Sequence, residues 1–137
     1  IASAAYWHKA FPYRSPLTGQ NGVELCDSYE TESGEQWTQQ LGASLSLIDA
    51  GVEAMRATTN PKDKAALATA ISQLKTTTIG GRLDFTSGPV PNVAFGPIIG
   101  TQWVKAKTGP FEYDYVITEN ATDKNVPVES VLRLYNS

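Results

Sequence analysis

The sequence predicts an α/β fold, and three observations carry that prediction. A run from Thr38 to Met55 repeats apolar residues at helical spacing, and a second capped segment opens at Asn60. Extended apolar runs follow at 79–85, 98–105 and 111–118. Glycine and proline punctuate the joins at Gly34, Gly80-Gly81, Gly88-Pro89 and Gly109-Pro110.

Taken in order, Ile1 to Trp7 is short, apolar and aromatic, and reads as a strand or strand end. Pro12 and Pro16 make His8 to Pro16 a loop, because proline suits neither a helix interior nor a central strand. Thr18 is the expected cap of a helix running to about Thr31, with Val23, Leu25, Cys26 and Tyr29 on one side and Glu24, Asp27 and Glu30 on the other. Gly34 suits the residue past its end, where the left-handed conformation is cheap only for glycine.

Thr38 caps the next helix. Leu41, Leu45, Ile48, Val52 and Met55 recur at spacings of four and three, one apolar face kept for about four turns, with Asp49, Glu53 and Arg56 largely outside it. Asn60 as cap, Pro61 at the first helical position and Asp63 in the first turn predict a third helix. Leu67, Ala70, Ile71 and Leu74 supply its buried face, and it ends near Lys75 and Thr76.

Ile79 to Phe85 reads as a strand, Thr86 to Asn92 as a turn, Ile98 to Lys105 as a second strand and Phe111 to Thr118 as a third. In the last, Phe111, Tyr113, Tyr115 and Ile117 alternate with Glu112, Asp114 and Val116, the period of a half-buried strand. Thr108-Gly109-Pro110 makes a hairpin-like turn between those two. Val126 to Tyr135 is expected to pack as an extended tail or a short helix.

The composition narrows the function. The chain has 137 residues, long enough for one core, and a net charge of −3 with acids and bases interspersed. No basic stripe points to nucleic acid. No apolar run approaches the roughly 20 residues that span a bilayer. Cys26 is the single cysteine, so no internal disulfide forms.

The order of elements resembles the C-terminal portion of a type I periplasmic solute-binding protein of ABC transporters, of the branched-chain amino acid (Leu-Ile-Val-binding) family. The residues that carry the resemblance are Tyr6-Trp7-His8-Lys9 with Pro12-Tyr13, Tyr29 and Gly34, the run Ile79-Gly80-Gly81-Arg82-Leu83-Asp84-Phe85, and Gly100-Thr101-Gln102-Trp103. The resemblance implies Rossmann-like lobes, incomplete in this chain, with two hinge crossings near Trp37–Leu41 and Phe95–Ile99. Residues 1–36 and 100–137 would belong to the C-terminal lobe, and 38–95 to the N-terminal lobe. Trp37, Gln39, Phe95 and Pro97 become hinge candidates.

It further implies a periplasmic or extracytoplasmic, membrane-associated receptor. Such a protein binds an amino acid or related small carboxylate by hinge closure and delivers it to a permease. A ligand-sensing regulatory domain of the same fold is the alternative. Apolar helix faces left uncovered by the missing portion make self-association a further expectation.

Enzyme chemistry finds no support. His8 is the single histidine and Cys26 lies on an apolar helix stripe, which fits a core thiol better than a nucleophile. One His, one Cys and scattered carboxylates make no metal site, and the Gly pairs make no phosphate loop, so no cofactor is expected. Asp27, Glu30, Glu32 and Glu35 fit a solvated acidic face, and Asn120-Ala121-Thr122 reads as an incidental match to the glycosylation pattern. Tyr6, Trp7, Phe11 and Tyr13, four aromatics in eight residues around Pro12, are the ligand-binding candidates, against the plainer alternative that they pack the loop onto its lobe.

Overall fold

The computed structural model describes residues 1–134. Its elements run β1 (Ala2–Ala5), α1 (Gly22–Ser33), α2 (Gln39–Arg56), α3 (Lys64–Ser72), β2 (Lys75–Thr78), β3 (Gly81–Asp84), β4 (Ile99–Lys105) and β5 (Tyr113–Glu119). β1, β4 and β5 form a three-stranded antiparallel sheet with β4 in the middle. The chain leaves this sheet after β1, builds three helices and the separate β2–β3 hairpin, and returns to it at β4. The strand pairs among the described residues are all antiparallel, within the mixed α/β architecture expected of an incomplete lobe.

The expected β4 and β5 appear within two residues of their predicted bounds. Gly34 ends α1 in the left-handed conformation, at φ 73°, with its N–H donating to the Glu30 carbonyl. The start of α1 differs. Asn21, not Thr18, is the cap, and Asn21 and Glu24 form a reciprocal capping box. Residues 15–20 are held in a turn instead, where Ser15 Oγ accepts from the N–H groups of Leu17 and Thr18.

α3 likewise starts later than predicted. The Asp63 carboxylate accepts from Ala65 and Ala66 N–H, which outcompetes the Asn60-Pro61 start. The helix stops at Ser72, short of its expected end near Lys75 and Thr76, and Lys75–Thr78 is a strand paired with β3. Three consecutive threonines are β-branched and favour that strand. Ile79 and Gly80 therefore form the hairpin turn rather than strand, and Gly81 enters β3 at φ 112°. After β5 the chain turns at 121–125 and then runs without helix or strand to the last described residue, while Tyr135 lies outside the described residues. Glu129 and Ser130 N–H donate to the Ile117 carbonyl, and the Glu129 carboxylate accepts from Ile117 N–H.

The core gathers Ala5, Trp7, Phe11, Cys26, Trp37, Ile79, Ile99, Tyr115, Ile117 and Val126. α2 meets it with an unexpected face. Gly42, Asp49, Ala50 and Ala54 are buried, whereas none of Leu41, Leu45, Ile48, Val52 and Met55 is. Gly42 is required by close approach, because a Cβ there would fall inside the Trp7 ring. Asp49 is wholly buried. It accepts from Ser15 Oγ at 2.5 Å and from Ile79 N–H at 3.1 Å, tying the loop, the helix and the hairpin turn together.

Candidate functional site

The four aromatics of the first loop separate into two pairs. Trp7 and Phe11 are buried, and the Trp7 indole N–H donates to the Ile79 carbonyl at 3.1 Å. Trp37 meets Trp7 edge to face at 5.7 Å and His8 at 4.9 Å. These rings hold the loop on the core, so Trp7 and Phe11 offer no surface to a ligand here, and the Trp37 side chain is buried among them. Gln39 is half-buried, and its side-chain oxygen accepts from Tyr6 N–H at 3.1 Å.

Tyr6 and Tyr13 point elsewhere. Tyr6 is half-exposed and borders a groove of about 310 Å³ with Phe95, Pro97 and Leu83. Tyr13 borders an adjoining one of about 490 Å³ with Arg82, Phe95, Pro97 and Asp123. The segment Phe95–Ile98 is a wall common to both. Phe95 stands out from it at 72% exposure, while Pro97 is buried against Gly81. This second sequence-predicted crossing is thus where the open aromatic residues collect.

The polar groups of the groove are mostly committed to one another. The Tyr13 hydroxyl donates to Asp123 at 2.5 Å, and burial with the neighbouring carboxylate holds that hydroxyl above its ordinary range. Asn125 N–H and Nδ2 both donate to the other Asp123 oxygen. Thr122 Oγ1 is within hydrogen-bond distance of both the N–H and the carbonyl of Ile98. Lys75 pairs with Asp84 at 3.1 Å. Arg82 is the exception: it borders this groove and a further one of about 570 Å³, and among the described residues no carboxylate lies within ion-pair distance of it. A guanidinium with open donors beside an exposed phenyl ring suits a small planar carboxylate. Arg82 stands in the Gly-Gly-Arg-Leu-Asp-Phe run, but the sequence holds no signal that its charge would be left unpaired.

The remaining titratable candidates are structural. Cys26 is fully buried, and burial pushes its thiol up to about 12, which leaves it a weak nucleophile near neutrality. His8 is also fully buried. Its Nδ1 accepts from Ala10 N–H at 3.0 Å and its Nε2 lies 2.7 Å from the Tyr115 carbonyl, an arrangement that fits only the neutral ring protonated on Nε2. Burial holds its pKa below the usual histidine value, against the opposing pull of Glu129 at 3.6 Å. Among the described residues no group of three His, Cys, Asp or Glu side chains converges to hold a metal ion. None of the described helices is long and apolar enough to cross a membrane.

No protein-family model matches the chain, and no curated protein matches it. A solved structure does: the solute-binding protein of an ABC transporter from Rhodopseudomonas palustris BisB5, in complex with 3,4-dihydroxybenzoic acid. The two superpose with a TM-score of 0.63 over 90% of this chain at 17% sequence identity. This chain has the fold of part of a solute-binding protein. It spans 31% of the length of that neighbour.

Proposed function

We propose that the chain is the C-terminal part of an extracytoplasmic solute-binding component of an ABC importer. The observation that carries this reading is the superposition of nine-tenths of the chain on a solute-binding protein. The ligand would be an amino acid or a related small carboxylate, closed between two lobes and handed to a permease. The three-stranded sheet would belong to one lobe, with segments 1–36 and 100–137, and α2, α3 and the β2–β3 hairpin to the other, within 38–95. The segment Phe95–Ile98 would be a hinge crossing, with Tyr6, Tyr13, Phe95 and Arg82 as this chain's contribution to the ligand wall. The neighbour's own ligand is an aromatic carboxylate, the chemistry that an open arginine beside a phenyl ring fits.

One wall of a cleft binds weakly, because the ligand keeps most of its surface in water. Calorimetric titration of the chain with amino acids and aromatic acids is therefore expected to give no micromolar binding, and a micromolar affinity overturns the half-site. At millimolar benzoate, amide shifts are expected at Gly81, Phe95, Gly96 and Ile98. They should be absent with benzamide and lost in Arg82→Gln; shifts that survive that substitution remove Arg82 from the site.

A further inference from the structure

The groove that Tyr13 shares with Arg82 has two sides from distant parts of the sequence, and one short loop holds both. From Ala94 to Ile98 the backbone is neither helix nor strand, and Pro97 has no N–H to give. Among the described residues, the backbone hydrogen bonds of this segment fall on Ile98 alone, and both go to one side chain. Thr122 Oγ1 accepts from the Ile98 N–H at 2.8 Å and donates to the Ile98 carbonyl at 2.5 Å. Gly100 pairs with Glu119 at the end of the β4–β5 ladder, so Thr122 continues that ladder with a hydroxyl where the β5 backbone has turned away. The next residue ties down the other side. Asp123 Oδ2 accepts from the Tyr13 hydroxyl at 2.5 Å, 110 residues away along the chain. The loop is braced from within. Asn120 Nδ2 donates to the Val126 carbonyl at 2.5 Å, and the Val126 N–H donates to the Asp123 carbonyl at 3.1 Å. Val126 is fully buried in the core and anchors the loop at its end. Asn120 and Thr122, the two polar side chains of the glycosylation-like pattern, are thus both committed to this arrangement.

We propose that the 120–126 loop is a clasp that couples the two sides of this groove, with Thr122 positioning the Phe95–Ile98 wall and Asp123 positioning Tyr13. A hydroxyl suits the first task because it donates and accepts at one atom, which is what the N–H and carbonyl of a single residue require. A carboxylate suits the second. Its two oxygens act separately, Oδ2 on Tyr13 and Oδ1 on the Asn125 N–H groups. Thr122 and Asp123 are neighbours in a loop bonded to itself, so a shift at one is passed to the other through a continuous hydrogen-bonded path. Loosening Tyr13 therefore loosens Ile98, although the two share no hydrogen bond. The clasp is a property of the chain alone, so it stands or falls apart from the ligand proposed above.

Amide hydrogen exchange at Ile98, followed by NMR on the chain without added ligand, reads the clasp directly. Thr122 is exposed, so Thr122→Val removes the hydroxyl with little change of shape and no cost to the core. It is expected to speed exchange at Ile98 by roughly two- to tenfold, the range that one lost hydrogen bond gives. Thr122→Ser keeps the hydroxyl and is expected to restore the slow rate. Tyr13→Phe removes the tie on the far side and is expected to raise the Ile98 rate about twofold. Tyr6→Phe, on the neighbouring groove, is expected to leave it unchanged. Tyr13→Phe combined with Thr122→Val is expected to exchange no faster than Thr122→Val, because the bond through which Tyr13 acts is already gone. A rate at Ile98 indifferent to Thr122→Val, or one that Thr122→Ser does not restore, overturns the clasp. A rate that ignores Tyr13→Phe, or that Tyr6→Phe raises equally, overturns the coupling.

Discussion

Trp7 and Phe95 occupy opposite kinds of ground. Around Trp7 every neighbour is committed: the indole N–H to the Ile79 carbonyl, the ring face to Gly42, the edge to Trp37. Around Phe95 the chain is open, the ring is 72% exposed, and Arg82, which lines the same groove, has no carboxylate in ion-pair reach among the described residues. The first region sets the stability of the chain and the second contributes almost nothing to it. Under the proposed function, recognition would fall on the open side, and Tyr6 and Trp7, adjacent in sequence, lie on either side of that line.

The largest expected effect falls on the closed side. Gly42→Ala forces a methyl into the Trp7 ring and should cost about 3 kcal/mol in urea unfolding, at the upper end for overpacking. An unchanged midpoint would mean that α2 does not seat on Trp7.

A smaller effect is the response to acid. The unfolded chain protonates His8 from about pH 6.5 downward, whereas the folded chain resists because burial holds that pKa lower. The stability linked to His8 is thus complete above about pH 6.5 and is lost as pH falls towards the folded value. Urea midpoints measured between about pH 7 and 5 should fall, and His8→Gln should flatten that slope, since side-chain carboxylates in the unfolded chain titrate mostly lower. An equal slope in the variant assigns the effect to other groups. The smallest expected effect is that of Phe95→Ala, a change within about 0.5 kcal/mol by the same assay, as for other exposed sites. A loss of several times that would show Phe95 to be a core residue and erase the contrast.

The elements that the sequence revealed are those with strong local signals. β4 and β5 showed by their apolar runs, and Gly34 by its place after a helix. The β2–β3 hairpin was hidden because Lys75–Thr78 continues a helical run without a proline or glycine to break it. The orientation of α2 is not legible in the sequence for a deeper reason. An apolar stripe implies a core only if its cover is present, and here the burial goes to the small face against Trp7. Asp49 lies outside the stripe, yet it is wholly buried inside the protein. For the site, periodicity located the aromatic loop but not the partition of its rings. Which aromatic turns inward depends on Gly42 and Ile79, far away in sequence.

The tail that follows β5 has one more consequence. β5 is a border strand, and a border strand left bare offers its N–H and C=O groups to any passing extended chain. Glu129 and Ser130 occupy the Ile117 carbonyl, and the Glu129 carboxylate takes the Ile117 N–H, so the middle of that border is already engaged. The tail acts as a bumper on that side of the sheet: it discourages runaway strand-by-strand aggregation there.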